Sequence, residues 1–127
     1  LQNFGEARQQ TEDKLSFVKI LDYINRHFTE DINMDEIARK SNYNRSHVYK
    51  LFIKNMGCSP KEYINNLRMD LACEILCEAD YPIVQVSSRV GFKNYISFVN
   101  TFKKKYRILP SQYRKSIGAG GKEGEKG

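Results

Sequence analysis

The sequence contains no tryptophan and no apolar run close to the roughly 18 residues that a membrane-spanning helix requires. We therefore predict no association with a membrane. The chain does not start with Met and has no signal-peptide pattern, so we interpret it as a segment of a longer protein. Its three cysteines, an odd number, favour a reducing compartment and predict a cytoplasmic location.

The sequence also lacks the motifs on which many catalytic sites depend. It has no glycine-rich phosphate loop, no nucleophile elbow and no metal-binding pair of histidines. Cys73 and Cys77 are four residues apart in a helical pattern and could clamp a metal, but neither His27 nor His47 has ligand spacing to them. Buried thiols are the simpler interpretation. We therefore predict a protein that is not an enzyme and needs no cofactor or metal.

Positive charge is concentrated in the last third of the chain. Residues 1–40 carry a net charge of −2, residues 41–80 are neutral, and residues 81–127 carry ten basic and two acidic side chains, hence +8. This asymmetry indicates a polyanion or an acidic surface as partner. A solvated helix face would produce the same pattern, so charge alone does not identify the partner.

Apolar residues recur at helical spacing, and no segment alternates long enough to predict a strand. The first apolar stripe comprises Leu15, Val18, Leu21, Ile24 and Phe28. Capping residues and prolines then divide the chain into further helices. The predicted starts lie at Asn33, Asn44, Ser59-Pro60, Pro82, Asn94 and Pro110. The chain is therefore predicted to be all-α.

A repeat organises these helices into two similar units. Residues 34–63 match residues 83–113 at an offset of 49 that becomes 50 after one extra residue at the second turn. Each copy has helix-turn-helix spacing, with a residue that tolerates left-handed backbone angles at the turn. That residue is Asn42 in the first copy and Gly91 in the second.

The repeat predicts four segments in the chain. Residues 1–13 are expected to be a linker or a loose helix end, and residues 117–127 a disordered tail. Residues 14–79 form the first helix-turn-helix subdomain with its connecting helix, and residues 80–116 form the second. The connecting helix, about 27 Å long from its sequence, suits two recognition helices placed about one DNA turn, roughly 34 Å, apart.

A helical wheel separates core from surface in the two second helices, residues 44–56 and 94–106. Phe98 and Phe102 share an inward arc with Val99 and Tyr106, whereas polar and basic residues share the opposite arc. Asn pairs with adenine, Lys reaches guanine and Ile packs on a thymine methyl group. The basic residues are expected to contact phosphates. These phosphate-binding candidates are Arg45, His47, Lys54, Lys103, Lys104 and Arg107.

From about Leu15 to Lys115 the sequence resembles the DNA-binding domain of the AraC/XylS family of bacterial transcription regulators. The motifs that carry the resemblance are YINNLRMDLACEIL, VSSRVGFKNYISFVNTFKKKY and LPSQYRK. The resemblance implies seven helices that form two helix-turn-helix subdomains joined by a long central helix. It implies a monomer that docks to two successive major grooves of double-stranded DNA. It also implies an upstream sensing or receiver domain and RNA polymerase as a partner of the full-length regulator.

The family's base-facing positions fall on seven residues here. They are Ser46, Tyr49, Lys50, Tyr95, Ile96, Ser97 and Asn100. The wheel agrees for all except Tyr49, at the edge of the outward arc, and Tyr95, on the core side.

Three positions depart from the family pattern. Arg107 replaces a frequent Gly, so either the helix ends without a glycine or this arginine adds a phosphate contact. Leu109 replaces a capping Ser or Thr, and Asn100 stands where Arg is common.

Two other interpretations fit the basic helices. A helical protein-interaction module would bind an acidic partner through the same face, and would bind any DNA only weakly. RNA binding is a further alternative, but the aromatic residues are expected mostly in the core, not on an exposed stacking platform.

Overall fold

The computed structural model describes residues 4–117, and within this range it contains seven helices and no strand. The predicted all-α class and helix number are confirmed. The predicted tail lies outside the described residues from position 118 onward. The helices are α1 Phe4–His27, α2 Met34–Lys40, α3 Arg45–Met56, α4 Pro60–Glu78, α5 Ile83–Val90, α6 Tyr95–Tyr106 and α7, which spans 110–117 of the described range.

Asparagine side chains start three of the helices. Asn44 accepts a hydrogen bond from the His47 N–H at 2.8 Å, and Asn94 accepts one from the Ser97 N–H at 3.0 Å. Asn33 caps α2 in the same manner. These bonds satisfy backbone donors that have no partner inside the helix. The predicted starts of α2, α3 and α6 are therefore confirmed.

The two turns between paired helices share a residue at positive φ and an equivalent backbone hydrogen bond. Asn42 at φ 61° and Gly91 at φ 111° both adopt positive φ angles. In the first copy the Tyr43 N–H donates to the Ala38 carbonyl at 2.9 Å, and in the second the Phe92 N–H makes the equivalent bond at 3.1 Å. The predicted need for a tolerant residue at each turn is confirmed.

Helix α1 differs from the prediction at its start. It begins at Phe4, so residues 4–13 are helical where the sequence predicted a linker or a loose helix end. Its buried stripe also differs. Ile24 is buried as predicted, but Phe17 and Ile20 are buried with it, whereas Leu15 and Val18 are exposed by 61% and 57%.

The chain divides into two compact units, and the division falls inside α4, between Ile64 and Asn65. The sequence placed this boundary after residue 79. The difference arises because Met69, Ala72 and Leu76 belong to the core of the second unit. The rest of that core is formed by Val86, Val90, Phe98 and Phe102.

Aromatic rings surround Phe102 in the second unit. The centroid of its ring lies 4.6 Å from that of Tyr106 and 5.6 Å from that of Tyr113. Burial, followed by a hydrogen bond with Cys73, raises the pKa of Tyr113 to about 12.

Cys73 is half-buried against this core and Cys77 is exposed. Among the described residues no group of three potential ligands is placed to hold a metal ion.

Candidate nucleic-acid interface

The first recognition helix, α3, buries one face and exposes the other. Val48, Leu51 and Phe52 are buried. The predicted base-reading side chains Ser46, Tyr49 and Lys50 are exposed, together with Ile53 and Lys54. The burial of the inward row thus leaves a mixed polar, basic and apolar surface along the helix.

Helix α6 repeats this arrangement in the second unit. Phe98 and Phe102 are completely buried, whereas the opposite side chains are exposed. The exposed side chains are Tyr95, Ile96, Ser97, Asn100, Lys103 and Lys104. The wheel's placement of Tyr95 toward the core was wrong, because this ring is 42% exposed in the first turn of the helix.

Three consecutive lysines lie in the last turn of α6, but their surroundings differ. Lys105 donates a hydrogen bond to Asn66 Oδ1 at 3.1 Å, and its Nζ lies 3.9 Å from Asp70. Lys103 and Lys104 are exposed in the same turn. Cations are favourable at this end of a helix because its carbonyl groups carry partial negative charge. Lys103 and Lys104 therefore have the exposure that a phosphate contact requires.

Arg107 ends α6 in place of a glycine. Its φ angle is 69°, in the left-handed region, and its N–H donates to the Lys103 carbonyl at 2.8 Å. The helix thus ends without a glycine, and the phosphate contact of Arg107 stays a prediction. The side chain is exposed beside the final turn.

The missing Ser or Thr cap before α7 is compensated by a side chain inside the helix. The Leu109 N–H donates to Gln112 Oε1 at 2.8 Å. This bond is one half of a capping box, formed without the usual hydroxyl at the preceding position.

The other two candidates in α3 have partners within the first unit. Arg45 Nε lies 3.4 Å from Asp35 Oδ1 in an exposed ion pair. The ring of His47 stacks on Tyr43 at a centroid distance of 4.2 Å. Its Nε2 is buried, 3.5 Å from Asp13 Oδ1. His47 is therefore turned toward α1, unlike the other candidates.

Asp13 contacts the first helix-turn-helix, and the sequence analysis did not predict this contact. Tyr43 donates its hydroxyl to Asp13 Oδ1 at 2.5 Å, and Gln9 donates to the same oxygen at 2.8 Å. The bond from Tyr43 is the largest cause of a lowered pKa for Asp13. Burial, then the bond to Asp13, raises the pKa of Tyr43. No local pattern signals this contact, since Asp13 and Tyr43 are 30 residues apart.

Two tight turns, each with a residue at positive φ and each followed by a helix with an exposed polar row, define a helix-turn-helix protein. A family model described as a helix-turn-helix domain matches residues 37–116. The chain is 40% identical over 94 residues to the lactose operon transcription activator of Staphylococcus xylosus. That match covers 74% of this chain and 34% of the activator. The chain belongs to the AraC/XylS-type helix-turn-helix family.

Solved structures share the fold. The C-terminal domain of AraT, a response regulator from Geobacillus stearothermophilus, superposes with a TM-score of 0.75 at 26% identity, covering 80% of this chain and 84% of that one. The DNA-binding domain of AdpA, solved with a target DNA, gives a TM-score of 0.76 at 20% identity, covering 81% and 93%. At that identity the second likeness supports the fold alone.

Family membership decides between the classes of function considered for this chain. The family consists of DNA-binding domains of transcription regulators and is not enzymatic, so both predictions are confirmed at the level of class. The chain spans about a third of the length of the staphylococcal activator. Within residues 4–117, no helix is both long and apolar enough to cross a bilayer.

Proposed function

We propose that α3 and α6 enter two successive major grooves of double-stranded DNA and that one copy of the chain reads both. The observation that supports this most directly is the repetition of one surface on two units. In each, buried aromatic residues hold a helix whose opposite face exposes polar, apolar and basic side chains. A major groove admits an α-helix, and its base edges present donors, acceptors and thymine methyl groups.

The base-reading roles divide between the two helices. In α3, Lys50 is suited to guanine, and Ser46 and Tyr49 offer hydroxyl groups near it. In α6, Asn100 is suited to adenine and Ile96 to a thymine methyl group. Ser97 and Tyr95 complete the second set. Their exposure on one face of each helix supports these assignments.

Phosphate contacts are proposed for the basic side chains that border these faces. Lys103, Lys104 and Arg107 lie together at the end of α6, and Lys54 lies in the last turn of α3. Arg45, at the start of α3, would exchange its exposed pair with Asp35 for a phosphate. Such contacts position a protein on DNA without specifying sequence.

The longer protein is proposed to be a bacterial transcription regulator in the cytoplasm. The chain spans 34% of the staphylococcal operon activator, which leaves room for a sensing or receiver domain in such a protein. RNA polymerase is the proposed partner of the full-length regulator. The net charge of +8 in residues 81–127 suits either DNA or an acidic protein. We favour DNA as the partner of this domain, because the charge accompanies the proposed base-reading side chains.

The direct test is selection of bound sequences from a random duplex pool at moderate salt. We expect two short enriched blocks separated by roughly one helical turn, about 10 base pairs. A Lys50→Ala variant should lose enrichment in one block and an Asn100→Ala variant in the other. A pool returned without enrichment would reject sequence-specific binding and leave either loose nucleic-acid binding or an acidic protein partner.

A further inference from the structure

The contact between Asp13 and the first recognition helix is the feature of the structure that DNA docking leaves unexplained. Asp13 lies on α1, outside the helix-turn-helix, and accepts hydrogen bonds from Gln9 and Tyr43. Tyr43 is the residue that follows the turn, and its ring stacks on His47 in α3. Asp13 thus reaches the recognition helix both through Tyr43 and directly, 3.5 Å from His47 Nε2.

His47 is held at three points. The backbone N–H of His47 donates to Asn44 Oδ1. Its ring stacks on that of Tyr43 with 25° between the ring planes, and its buried Nε2 faces the Asp13 carboxylate. His47 occupies the first turn of α3, directly after Ser46 and two residues before Tyr49. Any rotation or shift of this turn would break the stack and move both flanking side chains.

We propose that Asp13 is a positioning residue for base recognition by α3. By holding Tyr43 and His47 against α1, it fixes the first turn of α3 in one orientation before DNA arrives. A surface that is ordered in advance loses less conformational freedom on binding and discriminates more sharply between targets. This role rests on the proposed function of α3, and it replaces the phosphate contact predicted for His47 by a role inside the protein.

The charges around the cluster support this assignment to Asp13 in particular. Glu12 is also close enough to Tyr43 to raise the pKa of that phenol, but it acts only through charge. The carboxylate of Asp13 makes the hydrogen bonds and is only 22% exposed. Removing Asp13 would therefore leave the Tyr43 hydroxyl without its acceptor and take the facing carboxylate away from His47 Nε2.

The experiment compares Asp13→Ala with Asp22→Ala. Asp22 is on the same helix and forms an exposed pair with Arg26 at 3.2 Å, so its removal changes net charge equally without touching the cluster. Each variant is titrated with the selected duplex and with duplexes in which either block is scrambled. The Lys50→Ala variant identifies the block that α3 reads. It is the block whose scrambling no longer raises the Kd of this variant. The readout is the ratio of Kd values for scrambled and intact duplexes.

We expect Asp13→Ala to reduce discrimination at the α3 block by about 5- to 10-fold, the lower end of what one base contact supplies. Discrimination at the other block should stay unchanged, and Asp22→Ala should change neither. Asp13→Asn keeps an acceptor for Tyr43 and should retain most of the discrimination that Asp13→Ala loses. A purely structural role would lower the fraction of folded protein and leave both ratios intact.

Equal ratios in Asp13→Ala and the wild type would overturn the positioning role, whatever the melting temperature. If Asp13→Ala fails to fold, Tyr43→Phe decides, because it removes the same hydrogen bond and keeps the ring. Discrimination unchanged in Tyr43→Phe would then reject the proposal. Failure of the proposed function has a different signature, since the wild type itself would then discriminate neither block.

Discussion

Arg107 places a charged side chain at a position where the backbone is strained. An L-residue other than Asn or Asp in the left-handed region costs roughly 1–2 kcal/mol, a cost that glycine avoids. Arg107 nevertheless adopts φ 69° at the end of α6, where Gly57 ends α3 at φ 73°. The guanidinium is exposed next to Lys103 and Lys104. This combination is what a phosphate contact at the helix end would require.

Replacing Arg107 with glycine should therefore separate stability from binding. We expect Arg107→Gly to raise the free energy of unfolding by about 1 kcal/mol, because the strain is relieved. Affinity should fall on every DNA sequence, and the slope of log K against log salt should decrease by about one. Urea unfolding and titrations at several salt concentrations measure the two effects.

Asn42→Gly is the matched control for this change. Asn42 also has a positive φ angle, 61°, but it lies in the first turn and carries no charge. Its replacement should give a smaller gain in stability, since Asn tolerates this region, and should leave the salt slope unchanged. An unchanged slope in Arg107→Gly would show that Arg107 does not touch phosphate.

Some residues of the site could not be placed from sequence. A helical wheel reports the direction of a side chain relative to its own helix and nothing about distant neighbours. It put His47 on the outward arc, but Tyr43 and Asp13 hold that ring. It put Tyr95 toward the core, but the ring is exposed at the helix start.

At the scale of the element, prediction succeeded where the signals are local. Helices α3 and α6 begin one residue after Asn44 and Asn94, since a cap binds backbone groups within three residues of itself. Helix α1 was less predictable, because two overlapping stripes satisfy helical spacing. Leu15 and Val18 begin one and Phe17 and Ile20 the other, and only packing decides which is buried.

Two exposed residues of α6, the base-reading candidate Asn100 and the phosphate-binding candidate Lys104, should respond differently to mutation. Asn100→Ala should weaken binding to the selected site by about 1–3 kcal/mol and change binding to other DNA little, because a base contact exists only on the right sequence. Lys104→Ala should weaken binding to all sequences and lower the salt slope by about one. Titrations on the selected and a scrambled duplex, each at several salt concentrations, measure both effects.

Lys105 supplies the control for the lysine variant. It has the same charge in the same turn but is bound to Asn66 and close to Asp70. Lys105→Ala should therefore change the salt slope less than Lys104→Ala. Equal changes in salt slope for the two lysine variants would mean that only the overall charge of the protein affects binding. A loss on both duplexes in Asn100→Ala would make Asn100 a backbone contact.

At the scale of the whole molecule, the repeat was the most informative signal in the sequence. The match between residues 34–63 and 83–113 predicted two helix-turn-helix units, and their turns share geometry. The boundary was not predictable to the same degree. Helix α4 is continuous from Pro60 to Glu78, and its apolar residues do not reveal which unit each one joins.

The proposed docking of one monomer to two grooves has a consequence for the spacing of the two blocks. If α3 and α6 read two blocks on one face of the duplex, inserting 5 base pairs between the blocks turns the second by about half a helical turn. One copy can then engage only one block. Affinity should fall by about 100-fold or more, because the second contact loses its high effective concentration.

Fluorescence anisotropy with labelled duplexes tests this expectation. The control is an unextended duplex in which the second block is scrambled, which should bind as weakly as the extended one. Stoichiometry at saturation should be one chain per unmodified duplex, because the proposed monomer fills both grooves. Undiminished affinity for the extended duplex would show that the two helices bind without fixed phase. The proposal that one chain reads two successive grooves would then be ruled out.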